Sequence, residues 1–86
     1  MIYILNLDKT FIYPFDIHNV RFIRKGCEII AVSRYINVLL AKYDDDMCAV
    51  KAMDALIFAI SKGRTSFSFE KYEQEMSLQD IIVKIE

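Results

Sequence analysis

Eighty-six residues suffice for one domain and are too few for two independent cores. Eleven Lys and Arg against 12 Asp and Glu leave a net charge of -1, which excludes a global field attracting nucleic acid or an anionic membrane. A 55% share of apolar residues, with two Gly and one Pro, excludes a disordered chain.

The chain opens with short Ile, Val, Leu, Tyr and Phe runs broken by turn formers or charges, the signature of strands. Five are predicted, at about Ile2–Asn6, Thr10–Pro14, Asn19–Arg24, Cys27–Ser33 and Asn37–Lys42. Their connections are too short for parallel crossovers, so an antiparallel meander is expected, with Gly26 supplying the positive φ of a tight hairpin. The fourth strand is substantially apolar on both faces, with Cys27, Ile29 and Ala31 on one and Glu28, Ile30 and Val32 on the other. The second face is therefore expected to be closed by sheet curvature, by the C-terminal segment or by another copy of the chain.

The period changes at Tyr43. Asp44, Asp45 and Asp46 offer an N-cap and first-turn negative charge, and Lys62-Gly63 offers a stop, which predicts a helix over about Asp46–Lys62. At 100° per residue, Ala49, Val50, Met53, Leu56, Ile57 and Ile60 form one stripe expected to pack on the sheet. The opposite face carries Lys51, Asp54, Ser61 and Lys62, and also Phe58 with Met47 beside it, an aromatic ring with no core to receive it. Beyond Gly63, Ser66–Phe69 alternates like a strand whereas Phe69, Tyr72 and Met76 have helical spacing, so a strand or loop passing into a short helical turn is expected, and Ile81–Ile85 has the composition of a final strand. The expected architecture is α+β: an antiparallel meander of about five strands, one main helix packed on the sheet and a C-terminal strand, all in a single domain.

Motifs that carry chemistry are sparse. His18 sits beside Asp16 in a turn without a nucleophile or an oxyanion element, and the Asp triplet lacks the alternating ligands and glycine of a calcium loop. Two glycines cannot build a phosphate-binding loop, and Cys27 and Cys48 lack metal-site spacing. Both cysteines are expected to be buried, unpaired thiols. No enzyme, cofactor, metal or small-molecule substrate is expected on these grounds. The N-terminal run Met1–Lys9 lacks a basic start and a cleavage site, and the apolar stretches are interrupted by charges, so a cytoplasmic protein that does not enter the membrane is expected.

Charge is nevertheless polarised. Residues 1–43 carry six Lys or Arg and three acids, net +3, and residues 44–86 carry five and nine, net -4. Two partner readings follow. Phe58, Met47, Lys51 and Lys62 mark a self-association or protein-interaction face. Alternatively, Arg21, Arg24, Lys25 and Arg34 with Tyr35 form a basic and aromatic patch for single-stranded nucleic acid.

The opening Ile4-Leu5-Asn6-Leu7-Asp8-Lys9-Thr10, the pair Phe15-Asp16 and the run Leu39-Leu40-Ala41-Lys42-Tyr43-Asp44 precede a helix with Ala49, Ala52, Leu56 and Ala59-Ile60. Over residues 2–62 this order resembles short uncharacterised proteins of Gram-positive bacteria and their phages or mobile elements. Such proteins often close with a Tyr-x-Met-Pro strand, whereas this chain ends Ile82-Val83-Lys84-Ile85-Glu86 without the proline. The resemblance implies a cytosolic accessory protein associated with phages or mobile elements, and brings no catalytic residues with it.

Overall fold

The computed structural model describes residues 1–72. Its elements are β1 (Ile2–Leu5), β2 (Ile12–Phe15), β3 (Val20–Lys25), β4 (Glu28–Ser33), β5 (Asn37–Lys42), α1 (Asp46–Ser61) and β6 (Ser66–Ser68). The first five strands are antiparallel to their sequence neighbours wherever they pair, as a meander requires, but they divide between two sheets. One has the order β2-β1-β6, with β6 parallel to β1, and the other has the order β3-β4-β5. The strand expected at Ile81–Ile85 lies outside the described residues.

The hairpin β1–β2 begins pairing later than its apolar run suggests because Asn6 intervenes. The buried Asn6 Oδ1 accepts the backbone N–H groups of Thr10 (2.9 Å) and Phe11 (3.1 Å), and its Nδ2 donates to Thr10 Oγ1. The side chain thus binds the loop amides and delays β2 to Ile12. Within the loop Lys9 takes a left-handed φ of 61°, an unfavourable conformation for a residue with a Cβ. Its ammonium group compensates by donating to Ser68 Oγ and the Phe69 carbonyl, both at 2.9 Å, which fastens the loop to β6.

Two features join the sheets. At one end, the Phe15 and Phe22 rings meet edge-on at 5.6 Å across the β2–β3 turn. At the other, the β4–β5 register shifts between Ile29 and Ile30, so that Leu40 is the extra residue of a bulge. The Leu40 carbonyl accepts the Leu7 N–H at 2.9 Å, tying the end of β1 to β5. The bulge also explains why adjacent Leu40 and Ala41 are both buried, which strict alternation forbids. Ile2, Ile4, Ile29, Ala31 and Leu40 from the two sheets then share one core with α1 and Phe69.

Helix α1 starts where the aspartates predict. Asp45 is the N-cap and its carboxylate accepts from the Met47 N–H. The helix ends in a Schellman motif, with Arg64 N–H donating to the Ala59 carbonyl, Gly63 N–H to the Ile60 carbonyl, and Gly63 at φ 71°. The buried stripe is rotated from the predicted one. Cys48, Ala49, Ala52, Leu56 and Ala59 are buried, Met53 and Ile60 pack at its margin, and Ile57 is 55% exposed. Hydrophobic weighting favours the bulky residues, whereas the close approach of a helix to β3, β4 and β6 is permitted by alanines.

These positions predict different costs. Leu56→Ala removes about 2–5 kcal/mol of unfolding free energy, because it empties a fully buried site. Ile57→Ala costs about 0.5 kcal/mol or less, as for other surface changes. Urea unfolding of the two variants checks the order, and equal midpoints would contradict the orientation of the helix.

Candidate interaction surface

The outward face of α1 is built from residues that the core stripe leaves behind. Met47, Lys51, Phe58 and Lys62 fall within about 60° of one another around the helix axis, so the structure places all four on one face. Met47 is 61% exposed and Phe58 54%, and Ile57 extends the apolar area along the flank. Two cations rest against the Phe58 ring: Lys62 Nζ lies 5.4 Å and the Arg64 guanidinium 5.8 Å from its centroid. Lys51 Nζ lies 5.9 Å from the Tyr72 ring. The surface is therefore a half-exposed aromatic framed by cations, a composition suited to protein contact.

Arg64 and Ile57 belong to this surface and were missed in the sequence. Arg64 follows the helix, so helical periodicity does not reach it; the Schellman turn folds it back towards Phe58. Ile57 falls on the predicted core stripe by helical period, but the observed stripe is rotated and leaves it exposed.

The basic and aromatic residues of the alternative reading are placed differently. Arg21 pairs in register with Val32 and lies on the outer face of the β3–β5 sheet, with Lys25 about 13 Å along the same strand. Arg24 alternates to the other side and donates to the Gly26 carbonyl at 2.8 Å, closing its own hairpin. Arg34 and Tyr35 stand in the β4–β5 turn, at the end of the sheet where Arg21 lies and opposite to Arg24 and Lys25; the Arg34 guanidinium lies 5.9 Å over the Tyr35 ring, which is 85% exposed. The five residues do not converge on one site, and the outer sheet face between them presents Ile23, Ile30 and Leu39 rather than rings.

The polar motifs have local roles. Asp16 accepts from the His18 N–H (3.0 Å) and from Asn19 Nδ2 (2.7 Å), and the His18 bond above all holds its carboxyl below the usual range. A cleft of about 440 Å³ lies beside the start of α1, lined by Asp8, Lys42, Tyr43, Asp44, Asp45 and other residues. Its Tyr43 hydroxyl donates to the Glu70 carbonyl at 2.7 Å, and burial pushes its pKa far above the ordinary phenol value, so it remains protonated and committed to that bond. No group of three or more His, Cys, Asp or Glu arranged to hold a metal occurs among the described residues. Among them, no helix is long and apolar enough to cross a membrane.

Both thiols are unpaired, but only Cys48 is buried. Cys27, expected in the core, is half-exposed because its position just before β4 brings it to the helix start, where Sγ donates to Asp46 Oδ1 at 3.0 Å. Comparison with family models, curated proteins and solved structures finds no match.

The Cys27–Asp46 bond predicts a pH dependence. The carboxylate stabilises the neutral thiol and opposes the thiolate, so the Cys27 pKa is raised. Since the thiolate is the reactive form, alkylation of Cys27 in the native protein should rise at higher pH than for an ordinary cysteine. Asp46→Asn removes the charge and should shift that profile to lower pH. An identical profile in the two proteins, followed by mass spectrometry of the labelled peptide, would contradict the bond.

Proposed function

We propose that this chain is a non-enzymatic interaction module that self-associates through the outward face of α1, with Phe58 in the contact and Met47, Lys51 and Lys62 around it. One observation carries the reading: Phe58 is half-exposed on a helix whose core face is already complete without it. Covering the ring and the stems of its flanking cations removes apolar area from water, which a two-fold partner does economically because each face serves twice. The polarised charge of the chain favours orientation of the contact. A cytoplasmic accessory role associated with phages or mobile elements is consistent with the order of motifs over residues 2–62.

Sedimentation of the wild type and of Phe58→Glu tests the reading. The wild type should dimerise in the micromolar range, and the variant should be a folded monomer. A wild type that is monomeric at high micromolar concentration overturns it. An unfolded variant assigns Phe58 a structural role within one chain, and this also counts against the interface. A gel shift with single-stranded DNA and RNA at two salt concentrations separates the nucleic-acid reading: the interaction module predicts no shift, whereas salt-sensitive binding lost in Arg21→Ala would favour the alternative.

A further inference from the structure

The two sheets present four edge strands among the described residues, and three are blunted. On β2, Asn6 N–H donates to the Phe11 carbonyl, so alternation turns the backbone of Pro14 away from β1, and the outer edge has a proline where it needs a donor. Strand β3 carries Arg21, Arg24 and Lys25, which would face like charges in a second copy. Strand β5 is interrupted by the Leu40 bulge, whose carbonyl is already taken by Leu7.

Strand β6 is short, at three residues, but has no proline, charge or bulge within it. Tyr3 N–H donates to the Thr65 carbonyl and Phe69 N–H to the Leu5 carbonyl, so the odd-numbered residues turn their backbone groups towards β1. Ser66 and Ser68 turn theirs to the other side, where no described strand pairs with them. Their side chains lie on the outer sheet face beside Tyr3 and Leu5, with which they are in register, and the segment is flanked by exposed Arg64 at one end and exposed Glu70 at the other.

We propose that β6 pairs antiparallel with β6 of a second copy about a two-fold axis at Phe67. This rests on the self-association reading above and adds a backbone contact to it. With the axis at Phe67, Ser66 faces the partner's Ser68, and both pairs exchange N–H···O bonds through the groups that point outward. The same register sets Arg64 opposite the partner's Glu70, and Glu70 opposite the partner's Arg64. The residues flanking the strand are thus self-complementary in charge in this antiparallel arrangement; a parallel one would place Arg64 beside the partner's Arg64. The result is a continuous six-stranded sheet, β2-β1-β6 and its symmetry copy. Because Arg64 also rests on Phe58, the strand contact adjoins the outward face of α1.

Sedimentation velocity on the full chain over a concentration series, with charge reversals, tests the register. Each reversal acts twice across the axis, so Glu70→Arg should raise the dimer dissociation constant about tenfold. Arg64→Glu should do the same, and the double reversal Arg64→Glu/Glu70→Arg should restore the wild-type value. The Ser66 and Ser68 amides should become protected from hydrogen exchange as the dimer forms. A dimer unaffected by either single reversal overturns the strand pairing and leaves the helix-face reading intact. A dimer weakened by Glu70→Arg but not by Phe58→Glu supports the strand pairing and removes the helix face. Protection of Ser66 and Ser68 that does not change with concentration overturns the proposal, as does a wild type that is monomeric at high micromolar concentration.

Discussion

The structure depends on how the chain leaves β1. At Asn6 a buried side-chain amide satisfies two backbone donors and one hydroxyl, and at the next residue the Leu7 N–H reaches the bulge carbonyl of Leu40. A buried amide without partners is costly, so this arrangement is narrowly specified. Strand β1 pairs with β2 antiparallel and β6 parallel, and Leu7, just beyond its end, bonds to β5. Removing that junction would leave the β2-β1-β6 sheet and the β3-β4-β5 meander joined by the β2–β3 turn and by side chains.

From this junction the helix follows. Ile2, Ile4, Ile29 and Leu40 from the two joined sheets form one core with the buried residues of α1. Alanines at 49, 52 and 59 let the backbone approach, with Leu56 as the main bulky contact. The larger side chains Met47, Ile57 and Phe58 are displaced outward. The exposed aromatic face is therefore a consequence of how the core is packed, and the cations at Lys62 and Arg64 moderate its exposure.

Local chemistry explains what was legible in the sequence. The five strands, the helix and its caps were readable because alternation, the Asp triplet and Gly63 act over a few residues. The grouping of Met47, Lys51, Phe58 and Lys62 was readable because helical period alone decides it. The division into two sheets was not, since the four-residue turn that separates β2 from β3 falls within the range of lengths of the connections that pair strands. The rotated helix stripe was also hidden, because alanine has little hydropathy and its role is steric. Likewise, the separation of Arg24 and Lys25 from Arg34 and Tyr35 follows from register, which a single strand does not reveal. Cys27 was misplaced for a similar reason: its partner, Asp46, is 19 residues away.

The β1 junction is tested most directly by native-state hydrogen exchange of the full chain, resolved by residue. The Leu7 amide, although outside any strand, should exchange as slowly as the β4–β5 ladder, and the Thr10 and Phe11 amides should be protected despite lying in a surface loop. Exchange at Leu7, Thr10 and Phe11 at the rate of an unstructured peptide, with the β4–β5 amides still protected, would show that the two sheets are not joined at this point and would contradict the account.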